Sequence, residues 1–420
     1  MTLHQAAAVR ALVLAIVVTG GCQPGRSGAV PGGPGGSIAI AASHLLDGRG
    51  NAQRDVVLVV EGSRIVRIEP RSTFSGRVTH DLAGVTVLPG LIDVHDHIDW
   101  HFNAAGRYHT NADGETPEQS MRAAYANMEA TLRGGFTTVQ SPGSRIDAAL
   151  RDSVAGGVAV GPRILSSLGQ VSGGTPEQLR AAVRQRKAQG ADLVKIFASA
   201  SIRDGGRATM TQEQLDAACG EAKAIGIRSM VHAHSADAMR FATLAGCDQI
   251  EHGVFATPAV LQLMAARGTY FSPQCRLVFR NYLDNRARFE GIGNYNAEGF
   301  AAMERAVPIA AGVMREALAT PGLKVVYGTD AVAGAHGRNV DDIYCRVRDA
   351  GDSPMRAIVA ATSLSAESLG LGQTIGTLGP GFEADIIAVD GDPLADIGAM
   401  GRVVFVMRAG QVYRNDRGEG

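Results

Sequence analysis

The chain has 420 residues, 45% of them hydrophobic, with 53 glycines and a net charge of −1 at pH 7. That length and apolar fraction suffice for a large buried core and exclude a disordered chain. Charges of both signs are spread along the sequence, leaving no basic stripe for a phosphate backbone and no acidic tail, so no nucleic-acid partner is expected.

Residues 1–22 contain Arg10, the apolar run ALVLAIVV and then TGGC, ending at Cys22. A charged start, a short apolar run and small residues before a cysteine predict an export signal that is too short to span a bilayer. The residues before Cys22 resemble a bacterial lipobox, with Thr19 in place of the usual leucine. Lipidation of Cys22 would be the chain's only tie to a membrane and would place it in the cell envelope or periplasm; simple secretion is the alternative. The Gly- and Pro-rich residues 23–36 read as a flexible tether.

Short apolar strands joined by tight turns come next, as SIAIAAS, DVVLVVEGSRIVRIEP and VTVLPG, and return near the C-terminus as ADIIAVD and VVFVMRAGQVYRN. Without helices between them, they predict one small β-sandwich built from both chain ends, residues 37–89 and 373–416. Between them a different pattern recurs: a helical stretch ends at glycine and an apolar strand starts within two residues, as in LRGGFTTVQS, KAQGADLVKIFAS and TLAGCDQIEHG. Eight strands, LIDVH, TTVQS, PRILSS, DLVKIFA, RSMVH, DQIEH, TYFSP and KVVYGTD, predict an α/β fold with a TIM-type (β/α)8 barrel over residues 90–372.

The polar residues at the ends of these strands carry the chemistry. The stretch VLPGLIDVHDHIDWHF places three of the chain's 11 histidines just after a buried strand. His95 and His97 are two apart, so on an extended chain both imidazoles face one side and can grip one cation. His232, His252 and Asp330 close strands five, six and eight, and Lys195 sits inside strand four. A lysine within an apolar strand must lose or pair its charge. Either it forms a salt bridge with a neighbouring carboxylate, or CO2 carboxylates the amine into an anion that bridges two cations.

The motifs PGLIDVHDH, VKI, VHAH, AGCDQIEHG, YGTDA and GTLGPGFEADIIAVDGDPLADI resemble the amidohydrolase superfamily, in its imidazolonepropionase-like and prolidase-like branch. The resemblance covers nearly everything from Ser37. It implies that His95 and His97 bind a buried metal, that Lys195 as a carbamate bridges two divalent ions such as zinc, and that His232 and His252 hold the more exposed ion. Asp330 would be both ligand and general base. Imidazolonepropionases use one metal and lack the lysine, so Lys195 favours dipeptidase-like relatives. The implied activity is hydrolysis of a small amide, a dipeptide or N-acyl amino acid, by a metal-bridging hydroxide. A cyclic amide hydrolase of the imidazolone or hydantoin kind is the alternative, and an exported binding protein with a vestigial site is a reading of another class. A homo-oligomer is compatible with all three.

His234 follows His232 on the same face, where relatives polarise the substrate carbonyl; a supporting hydrogen bond is the other reading, and the choice of His232 over His234 as ligand rests on the spacing to His252. Relatives often carry a histidine after Gly-Gly beyond strand three, where this chain has Ser172-Gly173-Gly174-Thr175. Arg276 is the candidate to bind a substrate carboxylate in its place. His101, His109 and His336 are expected on the surface, with Trp100 and Phe102 as pocket walls. Cys219, Cys247, Cys275 and Cys345 show neither metal nor disulfide spacing and are expected as small buried residues.

Overall fold

The computed structural model describes residues 36–418. The expected signal segment with Cys22, and the tether apart from its last residue, lie outside the described residues. Sixteen strands are described in chain order: β1 (Ile38–Leu46), β2 (Ala52–Glu61), β3 (Arg64–Pro70), β4 (His80–Pro89), β5 (Leu91–Asp93), β6 (Phe136–Ser141), β7 (Arg163–Ser166), β8 (Gln170–Val171), β9 (Leu193–Phe197), β10 (Arg228–Ser235), β11 (Gln249–Phe255), β12 (Tyr270–Ser272), β13 (Lys324–Val325), β14 (Ile386–Asp390), β15 (Val403–Arg408) and β16 (Gln411–Asn415).

Strands from the two chain ends share one mixed sheet in the order β16-β15-β14-β4-β1-β2-β3. Within β2 the apolar run serves both faces, as a period of two requires. Val56, Leu58 and Val60 join Ile386, Ala388, Phe405 and Met407 in one core, while Val57 and Val59 pack with Ala39 and Ala41 in another. One core thus draws side chains from both halves of the sheet, an arrangement that fits the expected sandwich. The alternate residues Ile387 and Val389 turn the other way and meet Leu91, Leu132 and Phe136, fastening this sheet to the helix-bearing part of the chain.

The remaining strands are parallel, in the orders β5-β6-β7 and β13-β12-β11-β10-β9-β8. All eight strands expected for the central region are present, with β8 in addition. Backbone bonds join the first to the last: Val94 N donates to Tyr327 O at 2.9 Å and Asp330 N to His95 O at 2.7 Å. The last predicted strand, KVVYGTD, is reduced to Lys324–Val325 because the chain then turns to make these bonds, reaching a φ of 54° at Asp330. Gly135, Gly190 and Gly246 all have positive φ between helix and strand, as the recurring pattern predicts. Three helices begin with a threonine whose side chain accepts from the backbone three residues on while a glutamine reaches back: Thr116 with Gln119, Thr175 with Gln178, and Thr211 with Gln214.

The cysteines depart from expectation. All four are buried, but they pair as Cys219–Cys247 and Cys275–Cys345. The partners lie 28 and 70 positions apart, and each bond joins segments that only the tertiary fold brings together. His101 is also buried, and the His336 side chain is packed against Asp96 at 3.3 Å rather than solvated.

Candidate active site

Seven of the sequence-selected residues converge. The ligand-type atoms of His95, His97 and Asp330 lie within 4.8 Å of one another, and so do those of His232, His234 and His252. The two trios adjoin, with the His95 and His252 rings 5.1 Å apart. Lys195 Nζ stands 3.3 Å from His95 Nε2. Asp330 Oδ1 is 3.3 Å from His95 Nε2 and 3.2 Å from His97 Nε2. His252 and Asp330 both hold positive φ, at 70° and 54°. Left-handed backbone at bulky residues is costly, and here both instances aim a donor atom into the same space.

Partners behind these residues fix which nitrogen faces inward. His95 Nδ1 is bonded to Glu251 Oε2 at 2.8 Å, leaving Nε2 toward Lys195 and Asp330. His252 Nδ1 is bonded to Gln274 Oε1 at 2.7 Å, leaving its own Nε2 free for a ligand. Asp93 accepts from Thr329 N, Thr329 Oγ1 and Asn339 Nδ2 at 3.0, 2.6 and 2.7 Å, locking the rim that carries His95 to the rim that carries Asp330. Asp93, Glu251 and Gln274 did not stand out in the sequence. Glu251 could have, because a carboxylate inside the apolar strand QIEHG is as anomalous as Lys195; Gln274 sits in a loop that carries no such signal.

The electrostatics favour cation binding. Burial, with the Lys195 charge next, pushes His95 well below the usual imidazole range, and burial with neighbouring imidazoles does the same for His252. His232 follows suit, and His234 falls to about 3, chiefly through burial and then Arg203. Neutral imidazoles are the form that ligates metal. Burial works to raise Asp330, but His95, His97 and Lys195 together hold its carboxyl below the ordinary range. Burial brings the Lys195 amine down to about 8 against the opposing pull of Glu251 and Asp330. No carboxylate lies within ion-pair distance of Lys195 among the described residues, so the salt-bridge reading of this lysine is not realised. His234 Nδ1 is buried without a hydrogen-bond partner among the described residues, an orphaned donor or acceptor within the second trio. The donor set, five imidazoles, one carboxylate and one amine, suits borderline divalent ions.

These groups open into a cavity of about 610 Å³. Trp100, Phe197, Ile202, Val278, Phe279 and Met303 form its apolar wall. Trp100 stacks on His97 at 4.1 Å; Phe102 instead packs on Phe289 and does not line the cavity. Ser172 and Gly173 reach it, whereas Thr175 is engaged in capping its helix. Arg276 does not: it is exposed and pairs with Asp349 at 3.4 Å. The cavity's guanidinium belongs to Arg203, which lies over the Tyr295 ring at 4.1 Å and donates from Nε to Asn294 Oδ1 at 2.8 Å. No carboxylate pairs with Arg203 among the described residues. It follows strand four in a loop, SIRDGG, where nothing in the sequence marks it.

A model of the amidohydrolase family matches residues 86–413. The chain belongs to the amidohydrolase family. It is 26% identical to an ochratoxinase of Aspergillus niger over 427 aligned positions, covering 89% of this chain and 86% of the relative. Among solved structures it is similar to a Xaa-Pro dipeptidase with bound methionine in the active site, at 29% identity and a TM-score of 0.80, covering 90% of this chain and all of the other. The fold is also that of the solved A. niger ochratoxinase, at 22% identity and a TM-score of 0.76, over 91% and 96% of the two chains. This amidohydrolase is therefore an enzyme acting on carbon–nitrogen bonds, of the prolidase-like branch, with histidine and aspartate groups that could hold divalent metal.

Proposed function

We propose that this amidohydrolase cleaves the amide bond of a small substrate bearing a free carboxylate, a dipeptide or an N-acyl amino acid. One juxtaposition carries the reading: the His/Asp/Lys cluster and the unpaired Arg203 guanidinium face the same apolar-walled cavity. Arg203 is half-buried, with no carboxylate partner among the described residues, and its planar fork suits a carboxylate that a ligand would bring. The names of the similar proteins place an Xaa-Pro dipeptide and an ochratoxin among substrates to test. A cyclic ureide would bring no carboxylate to Arg203, which makes the cyclic-amide alternative the poorer fit.

His95 and His97 would hold one ion and His232 and His252 the other, with Asp330 on the first and Lys195, as a carbamate formed from its neutral amine and CO2 with release of one proton, between them. Bound divalent ions, zinc by the nature of the donors, would supply Lewis acidity and an acidified water. Asp330 would take the proton of that water and pass it to the leaving amine. His234 would stand against the substrate carbonyl oxygen, Arg203 would bind the carboxylate, and the wall from Phe197 to Met303 would exclude water around the side chain. We further propose that the parallel strands close as a (β/α)8 barrel over residues 90–372, carried on a terminal sandwich of residues 37–89 and 373–416. We place the enzyme outside the cytoplasm, with a signal segment ending at Cys22 and a lipid on that cysteine; the two disulfides are in keeping with an oxidising compartment.

The test is a panel of dipeptides, N-acyl amino acids, their C-terminal amides and cyclic ureides, assayed on zinc-loaded protein with bicarbonate. Cleavage of the free acids with slow turnover of the amides is expected. Preference for ureides, or equal rates on acids and amides, would overturn the assignment.

A further inference from the structure

A second cluster of metal-ligating side chains lies outside the cavity, on the loop that follows β5. His101 is buried and Glu115 nearly so, with side-chain exposures of 7% and 10%; His109 is at 25%. None of the three lines the cavity described above. His101 Nδ1 sits 2.8 Å from the carbonyl oxygen of Asp99. A carbonyl only accepts, so Nδ1 carries the hydrogen and a neutral His101 presents a lone pair at Nε2. That Nε2 faces Glu115 Oε2 at 2.8 Å. Two acceptors at this separation repel unless a positive charge lies between them, either a second proton on the ring or a metal ion.

His109 decides between these. Its Nδ1 lies 3.0 Å from the same Glu115 oxygen, yet it is not aligned for a hydrogen bond and has no hydrogen-bond partner among the described residues. A proton on His101 would satisfy one contact and leave this nitrogen idle. An ion would use both. The His101 and His109 rings stack at 4.6 Å and 17°, bringing both nitrogens to one carboxylate oxygen, and the three ligand atoms lie within 4.8 Å of one another. Asp113 Oδ2 is 3.6 Å from His109 Nδ1, held there by Asn103 Nδ2 and Thr110 N at 2.8 Å each.

We propose that His101 Nε2, His109 Nδ1 and Glu115 Oε2 form a third cation site, structural in role, that takes a borderline divalent ion such as zinc, with water or Asp113 as fourth ligand. The carbonyl of Asp99 behind His101 is the outer partner such ligands use to fix their tautomer. Zinc bonds of about 2.0–2.2 Å set tetrahedral ligands roughly 3.4 Å apart, so Glu115 withdraws by about 0.5 Å on binding. The ion closes a loop between residues 101 and 115 whose N-terminal shoulder carries Trp100, stacked on His97. Its effect on the enzyme is to hold that wall in place.

The experiment is metal analysis of zinc-saturated, desalted protein by mass spectrometry, on wild type, Glu115→Gln, His109→Ala and His95→Ala. Wild type should retain three ions per chain and each of Glu115→Gln and His109→Ala two, with lowered thermal stability and with amide hydrolysis retained. His95→Ala should lose catalytic ions but keep the loop ion, so failure of the proposed function and failure of this site read out separately. A count in both Glu115→Gln and His109→Ala unchanged from wild type, whatever the wild-type total, would overturn the third site.

Discussion

An ammonium at position 195, 1% exposed and without a carboxylate in ion-pair contact among the described residues, would be held at a cost in free energy that Glu251 and Asp330 offset only from a distance. Loss of the proton relieves that cost, and burial accordingly brings the amine down to about 8, which leaves a neutral fraction at neutral pH, the form that reacts with CO2. Lys195→Ala should therefore lower the bound-ion count by one and abolish turnover, as metal analysis beside an amide assay will show; an unchanged count would remove the carbamate bridge. The proposed mechanism would give Asp330 two separable tasks. Asparagine keeps a ligand oxygen but cannot take a proton, so Asp330→Asn should hold most of its metal while kcat falls on the order of 10²- to 10⁴-fold. At Arg203 the expectation concerns recognition. Hydrogen bonds to charged groups contribute about 1.5–3 kcal/mol, so Arg203→Ala should cost roughly 10- to 100-fold in kcat/KM on free acids and leave amide-capped substrates little changed. Comparing the two substrate series in one variant separates carboxylate binding from a general loss of structure. Of these three residues, Lys195 and Asp330 were legible because each interrupts or ends an apolar strand. Arg203 was not, because an arginine in a polar loop is the commonest of surface features, and what distinguishes it is its place in the cavity lining, seated over the Tyr295 ring.

Among the elements, strands and their glycine-capped helices could be read from periodicity alone, since burial on alternate positions and a left-handed turn leave direct marks in the chain. Contacts between elements leave none. The Cys275–Cys345 bond joins the loop after β12 to the segment Cys345–Asp349, 70 residues on. Asp342 reinforces the same junction, accepting from the backbone N–H groups of Cys275, Arg276 and Leu277 at 3.0, 2.9 and 2.6 Å. Arg276 owes its outward place to this junction, which seats the start of the following helix while its guanidinium turns to Asp349. Closing a loop of that length stabilises by about 2–4 kcal/mol through the unfolded state. Replacing both Cys275 and Cys345 with serine should lower unfolding free energy by that amount, measured by denaturant titration, with the metal count unchanged because neither cysteine touches the cluster.

For the whole molecule, the two chain ends meet in one sheet, and β4 runs through Gly90 directly into β5 and the first two histidines of the cluster. Leu88 and Leu91 fall in the same core as Ile387 and Val403, so the C-terminal strands support the segment that presents His95. This much could be anticipated from helix-free apolar strands at both ends; the strand order could not, because register and neighbour choice depend on which faces find each other.

That sheet also sets a schedule. Pro89 pairs with Ile386, 386 − 89 = 297 positions later. At about 5–20 residues per second, β4 is synthesised roughly 15–60 s before β14 emerges to cover its second edge. During that interval β4 has only β1 to pair with, and the apolar side of Leu88 and Leu91 lacks its C-terminal cover. A nascent chain stalled before residue 384 should remain open to protease around residues 80–91, and release of the full-length chain should close that window.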